Sequence, residues 1–424
     1  MATYIITFLG IFARETEYEF EGKKEMGEVF PQALIKFVKF DRMFVCVTKD
    51  ARIKTYPILE KLNDDRIEAI SIEDGATTDQ MWSNFKEIVS KFESGDKVIF
   101  DITHAARSIP FLTFLFSAYL KVAKKVQIID VYYGAQVFGS TSPKQLDPSV
   151  VVAVEKSKPA PVIKLGEFVS MLDWMSYTQR FVDLGDGNGL AELLKEVDVS
   201  DAKLKTIVTE TATEIERVSD ALIYIRPMEV MESVAKLQEL IPKLEAQGQN
   251  LPQLQPFLLL CEQILDRYQN LALAKPFEEV NLPKNLECQL KMMDWYQQHQ
   301  QQVKSIMLGR ELFVSILMYW QGKGEIFDYK SRKPAENILN GHGKDANFDQ
   351  DQFVDSQKIK ATWKKATELR NDFAHSGMSS SPDSIKSLRK SIGRVIEEIT
   401  TCLEEFLKVA AKNRQQPEQP KLRK

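Results

Sequence analysis

Lys97-Val98-Ile99-Phe100-Asp101-Ile102-Thr103-His104-Ala105-Ala106-Arg107-Ser108-Ile109-Pro110 decides the reading of the first half of the chain. The apolar run Lys97–Phe100 reads as a strand, entered from the turn Ser94-Gly95-Asp96. Ser108 is a candidate N-cap with Pro110 in the first helical turn, so a helix starts near Pro110 and runs to Val126. A strand Gln127–Tyr133 follows. Upstream, Tyr4–Leu9, Met43–Thr48 and Ala69–Ile72 read as further strands, and Trp82–Phe92 as a helix. Strands that are apolar throughout and separated by helices predict a parallel sheet covered on both faces. The fold class is therefore an α/β Rossmann-like N-terminal domain, here taken as residues 1–157.

Open α/β sheets bind ligands at the carboxyl ends of their strands. The loop Asp101–Arg107 lies at such an end, and backbone amides at the start of the next helix suit a phosphate. Thr103, His104 and Arg107 add side-chain donors. A plainer reading is a capped strand–helix loop in which Asp101 and Thr103 serve the turn. The loop Gly10-Ile11-Phe12-Ala13-Arg14 belongs at the same edge, as do Thr48 and Asp74-Gly75.

Lys156–Pro161 holds two prolines and reads as a linker. From Leu165 onward apolar residues recur at helical spacing, through Phe168–Phe181, Leu204–Ile223, Val230–Leu244, Leu254–Leu271, Leu290–Met307, Glu311–Trp320, Lys358–Phe373 and Ile385–Leu407. An all-α C-terminal region is expected over 165–412. Gly322–Gln357 reads as a long exposed loop with one short helix, and the polar tail 413–424 as disordered. Trp174, Trp295, Trp320 and Trp363 are expected in a core or an interface, and Phe111, Phe114 and Phe116 in a core.

The second candidate site is Arg370-Asn371-Asp372-Phe373-Ala374-His375, since the chain has only four histidines: His104, His299, His342 and His375. On a helix, Ala366, Leu369 and Phe373 share an apolar face that Arg370 flanks, while Asn371 and His375 share a polar one. Ser376-Gly377 offers a helix stop, which sets His375 where the helix dipole favours a cation. A histidine so placed can exchange a proton with a ribose 2′-hydroxyl or the leaving 5′-oxygen. Arg370 can steady extra phosphate charge, and Asn371 can orient a phosphate or the histidine. The same residues at a helix end can also simply satisfy carbonyls. Arg310 with Glu311 is a candidate pair near this helix. His299 is expected to be solvated, His342 lies in a loop, and Lys330, Arg332 and Lys333 read as a solvated charge run.

Composition sets limits. The 424 residues carry a formal charge of −4, which is not that of a protein that coats nucleic acid, so any such contact should be local. Four scattered cysteines form no CxxC pair or secreted framework, and suggest reduced thiols. The opening MATYIITFLGIF lacks the features of a signal peptide. Phe111–Leu120 is too short to span a bilayer. A cytoplasmic protein without membrane contact is the expectation.

Asp101-x-Thr103-His104-x-x-Arg107-Ser108-x-Pro110 after a strand resembles the DxTHG signature of CRISPR-associated CARF proteins. Phe8-Leu9-Gly10, Tyr18, Phe20 and Trp82 are similar to the surroundings of that signature. The helical half, with Arg370-Asn371-x-x-x-His375, resembles the HEPN domain that accompanies CARF, whose motif is R-x4-6-H. The family commonly has Gly after the motif histidine, where this chain has Ala105. The resemblance implies a CARF domain over 1–157 that binds the activator cyclic oligoadenylate, with cyclic tetra-adenylate the ring expected. Its ligand-binding residues would be Gly10, Ile11, Phe12, Thr48, Asp101, Thr103, His104, Ala105, Arg107 and Ser108. The HEPN domain would be a metal-independent endoribonuclease with no cofactor, using Arg370, Asn371 and His375. It would cleave single-stranded RNA by 2′-hydroxyl attack, leaving a 2′,3′-cyclic phosphate. A homodimer or higher homo-oligomer would pair two copies of each site. The alternative is a non-catalytic nucleotide-sensing regulator or adaptor whose HEPN fold only dimerises.

Overall fold

The computed structural model describes residues 2–104, 109–135, 158–322, 325–342, 356–378 and 384–415. The chain divides into two compact units, Met1–Asp173 and Trp174–Lys424.

The strands of the first unit are β1 (Thr3–Leu9), β2 (Thr16–Phe20), β3 (Lys23–Gly27), β4 (Arg42–Val47), β5 (Ile67–Ser71), β6 (Lys97–Asp101), β7 (Gln127–Gly134) and β8 (Ala160–Lys164). They form one sheet in the order β3-β2-β8-β7-β6-β1-β4-β5. β7, β6, β1, β4 and β5 run parallel, as the apolar runs predict. The helices are α1 (Phe30–Phe37), α2 (Lys49–Lys54), α3 (Tyr56–Glu60), α4 (Thr78–Ser90) and α5 (Ile109–Lys124). Successive strand residues point to opposite faces. Ile5, Met43 and Val45 accordingly pack with Phe30, Leu34 and Leu59 on one side. Ile6, Phe44 and Cys46 pack with Ile88, Phe92, Phe116 and Leu120 on the other.

Two features of this unit differ from the sequence reading. β2 and β3 make an antiparallel hairpin whose two-residue loop, Glu21-Gly22, has positive φ at both positions (50° and 79°). That is the loop whose twist matches its strands. The expected linker also contains a strand: Ala160 and Pro161 open β8, which runs antiparallel to β7 and parallel to β2. Pro161 has no N–H to donate, but its carbonyl accepts the Ala135 N–H at 2.9 Å. β8 therefore tolerates a residue that argues against a strand in sequence.

Helix α6 (Gly166–Leu184) begins in the first unit and ends in the second. The second unit continues with α7 (Asn188–Glu196), α8 (Ala202–Ile223), α9 (Pro227–Gly248), α10 (Gln255–Leu258), α11 (Cys261–Tyr268), α12 (Leu282–Gln298), α13 (Gln302–Trp320), α14 (Tyr329–Leu339), α15 (Ser356–Ala374) and α16 (Ile385–Gln415). α13 is buried on nearly every side from Ser305 to Tyr319, as a helix that is apolar all round must be. Burying a side chain such as Leu312 or Phe313 contributes roughly 1.5–3 kcal/mol. At Gly309 a Cβ would come within 2.7 Å of Met293 on α12 and 3.3 Å of Ile399 on α16, so the missing side chain is what lets three helices meet.

The stretch Leu290–Met307, read as one helix, is broken where Gln300 takes φ 58°, between α12 and α13. Leu254–Leu271 is likewise split into α10, α11 and short 3-10 turns. Trp174, Trp295 and Trp363 are buried and Trp320 is partly buried, as expected. Phe116 is buried and Phe114 partly so, while the Phe111 side chain lies outside the described residues. In the expected disordered tail, 413–415 continue α16, and 416–424 lie outside the described residues.

Candidate functional site

At the carboxyl edge of the parallel strands the first unit has a cavity of about 310 Å³. β1 delivers Gly10, Ile11 and Phe12 to it, β4 delivers Thr48, β5 leads to Glu73 and Asp74, and β6 leads to His104. Five of the ligand-binding candidates thus line one concavity. Phe12 is 80% exposed beside it. A Cβ on Gly10 would sit 3.0 Å from the His104 carbonyl oxygen, so glycine allows the two loops to touch. A second cavity of about 440 Å³ shares Thr48 and Glu73 with the first and adds Lys49, Arg52 and Lys86.

The Asp101 loop is held mostly by its own structure. Thr7 and Asp101 are paired across β1 and β6, and the Thr7 hydroxyl donates to Asp101 Oδ2 at 2.6 Å. Asp101 Oδ1 accepts the Thr103 N–H at 2.8 Å, and Thr103 Oγ1 accepts the Gly134 N–H at 2.8 Å. Burial pushes the Asp101 carboxyl above its usual value, and these donors oppose that shift. Asp101 and Thr103 therefore do the work of the turn, and neither lines the cavity.

His104 Nε2 accepts the backbone N–H of Phe30 at 2.9 Å. An acceptor nitrogen carries no proton, so the ring is neutral with its proton on Nδ1. Burial lowers the imidazole pKa, with Asp101 acting in the opposite sense. His104 is thus a neutral wall of the cavity rather than a cation. Thr48 Oγ1 accepts the Ala51 N–H at 3.3 Å and caps α2. Ala105, Arg107 and Ser108 lie outside the described residues.

Sequence reasoning missed Asn84 and Glu73. Asn84 is buried on α4; its Oδ1 accepts the Glu73 N–H at 2.7 Å and its Nδ2 donates to the Glu73 carbonyl at 2.9 Å. This pair fixes the segment shared by the two cavities. The only nearby signal in the sequence is the turn Asp74-Gly75, with Gly75 at φ 72°.

The second candidate site is at the carboxyl end of α15. Ala366 is buried, and Leu369 and Phe373 pack against the core of the second unit. Arg370 is half-buried, while Asn371 and His375 are exposed. The His375 N–H still donates to the Asn371 carbonyl at 2.9 Å. The Gly377 N–H then returns to the Asp372 carbonyl at 3.0 Å, and Ser376 and Gly377 both have positive φ (54° and 65°). The helix ends by this turn, and His375 is the first residue beyond it.

Two turns before Arg370 on α15, Trp363 lies under the Arg310 guanidinium, 4.8 Å from its ring centroid. Arg310 also pairs with Glu311 and Glu336. Arg332 donates to Ser315, to the Ile326 carbonyl and to Glu311, and Lys333 pairs with Glu336 at 3.2 Å, so these two are not a free basic run. His342 is exposed. His299, expected to be solvated, is half-buried and stacks on Trp295 with ring centroids 4.2 Å apart. Among the described residues no group of three or more His, Cys, Asp or Glu is placed to hold a metal, and no helix is long and apolar enough to cross a membrane.

Residues 170–273, from within α6 to just beyond α11, match the family model described as CRISPR-associated protein MJ1674, second domain. The likeness is to CRISPR-associated proteins. The chain is 25% identical over 210 residues to the CRISPR-associated protein MJ1674 of Methanocaldococcus jannaschii. That alignment covers 47% of this chain and 29% of the relative, so the chain spans less than a third of that protein's length.

Proposed function

We propose that the chain is a CRISPR-associated endoribonuclease switched on by cyclic oligoadenylate. The observation that carries the reading is the cavity at the strand ends, where Gly10, Ile11, Phe12, Thr48 and His104 converge. The likeness to a CRISPR-associated protein supports the setting. In this reading the first unit is a CARF sensor and the helical unit holds a HEPN nuclease. Phe12 offers an exposed face for a base, and Lys49, Arg52 and Lys86 supply charge for phosphates.

Cleavage would proceed at the end of α15. His375 takes the proton of the ribose 2′-hydroxyl, and the 2′-oxygen bonds to the adjacent phosphorus. The bond from phosphorus to the 5′-oxygen breaks, and that oxygen takes a proton. The products are a 2′,3′-cyclic phosphate and a 5′-hydroxyl. Arg370 stabilises the added negative charge on the phosphoryl oxygens, and Asn371 orients it. One copy supplies a single imidazole, whereas the reaction uses one base and one acid. A homodimer supplies both.

The test is cleavage of single-stranded RNA by the full chain, with and without cyclic tetra-adenylate or hexa-adenylate. Stimulation by one ring supports the reading. Binding of a ring with no cleavage under any condition supports a non-catalytic regulator instead.

A further inference from the structure

The second unit has a cavity of about 520 Å³ between α11 and α12. Its charged walls are Asp266, Arg267, Lys291 and Asp294, and Gln263, Asn270 and Gln298 add amides. None of these belongs to either candidate site above.

Arg267 is locked in place. Its Nε donates to the Val182 carbonyl at 3.1 Å, and its Nη2 contacts His299 Nε2 at 2.6 Å. A guanidinium only donates, so His299 Nε2 accepts and the ring proton sits on Nδ1, where it reaches the Trp295 carbonyl. The stack of His299 on Trp295 holds this chain of bonds rigid. Nη1 of Arg267 has no partner among the described residues. Lys291 and Asp294 stand three apart on α12, yet they form no ion pair with each other or with any described residue. Lys284 and Glu287, at the same spacing on the same helix, do pair, at 3.4 Å. Asp294 is half-buried, and burial, with Glu404 adding to it, pushes its carboxyl up.

Polar groups in a concavity that lack protein partners suit a ligand that supplies them. Arg267 and Lys291 suit a phosphate, and Asp266 and Asp294 leave the lining with no net charge. The side-chain amides of Asn270 and Gln298 each offer a donor and an acceptor, the pairing that reads a base edge. A carboxylate accepts from an exocyclic amine. We propose that this cavity binds one nucleotide, with its phosphate on Arg267 and Lys291 and its adenine amine on Asp294. The nucleotide is either a free nucleoside monophosphate or one unit of an RNA strand. This inference stands apart from the nuclease reading.

The test is calorimetric titration of the full chain with adenosine monophosphate, adenosine and inorganic phosphate. The monophosphate should bind at least about tenfold more tightly than either fragment. Lys291→Ala should weaken it about tenfold or more, Lys291→Arg should restore it, and Lys284→Ala should change nothing. Asp294→Asn should shift preference toward inosine monophosphate, whose O6 accepts from the new amide. Displacement of the monophosphate by a short oligoribonucleotide supports the site and assigns the RNA source; no displacement in an otherwise positive titration supports it with a free nucleotide. Equal binding by the native chain and Lys291→Ala, or no saturable binding of the monophosphate, would overturn the proposal.

Discussion

His104, in the turn that follows β6, accepts the Phe30 N–H in the first turn of α1 through Nε2 at 2.9 Å. The scarce histidine of the strand-end motif is therefore tied to a helix N-terminus, where amide dipoles favour a neutral ring. A bond between residues 74 apart in sequence holds the cavity wall to the helix beside it.

This bond makes stability pH-dependent in a definite sense. Burial holds the folded His104 pKa below its ordinary value near 6.5. The unfolded chain thus binds the proton more readily, and the stabilisation present above about pH 6.5 is lost as pH falls through the depressed folded value. Buried Asp101, shifted upward, acts with the opposite sign. In denaturant titrations from pH 7 to 5, His104→Gln should lose the fall with pH that His104 causes, while keeping an acceptor for Phe30. His104→Leu, which leaves that N–H unpaired, should cost about 1–3 kcal/mol at pH 7.

Gly134→Ala tests how tightly this corner is packed. The added Cβ would lie 2.9 Å from Tyr18, 3.1 Å from Phe30 and 3.2 Å from Thr103. Overpacking of this kind costs about 1–3 kcal/mol. Denaturant unfolding should show that loss, and a near-neutral result would mean that the β7–α1 corner can yield.

Asn84→Ala should act on ligand binding from a distance. It removes both bonds that hold Glu73, so the segment shared by the two cavities loosens. We expect cyclic oligoadenylate to bind roughly tenfold more weakly, a change of about 1.4 kcal/mol. Basal RNA cleavage should be unaltered, and titration calorimetry alongside the cleavage assay separates the two.

The central strands could be read from the sequence because Ile5-Ile6, Met43–Val47 and Val98–Phe100 are buried on both faces, which leaves an unbroken apolar run. The β2–β3 hairpin was not, because its turn is Glu21-Gly22 rather than the usual Asn-Gly or Asp-Gly, and three of the five residues in Lys23–Gly27 are charged. Pro159 and Pro161 disguised β8, whose place beside β2 is set by a partner more than a hundred residues away. The Leu290–Met307 stretch kept its helical spacing across the break at Gln300, since α12 and α13 both face the same core. At the sites, local motifs pointed to loops that supply five residues to one cavity. They offered a turn role for Asp101 and Thr103 without deciding it, because Thr7 and Gly134, 94 and 31 residues away, complete those bonds. They did not show that Asn84 grips Glu73, 11 residues before it, because that depends on how the helix packs beside the strand end.

The most direct measurement compares RNA cleavage by the native chain, Arg370→Ala and His375→Ala, each with saturating cyclic oligoadenylate and a chelator. Arg370 is half-buried and His375 exposed, so the variants should keep native stability to within about 0.5 kcal/mol. The account predicts ring-stimulated cleavage by the native chain that yields 2′,3′-cyclic phosphate ends. It also predicts a loss of at least about a hundredfold in either folded variant. Undiminished cleavage in the folded variants would contradict it.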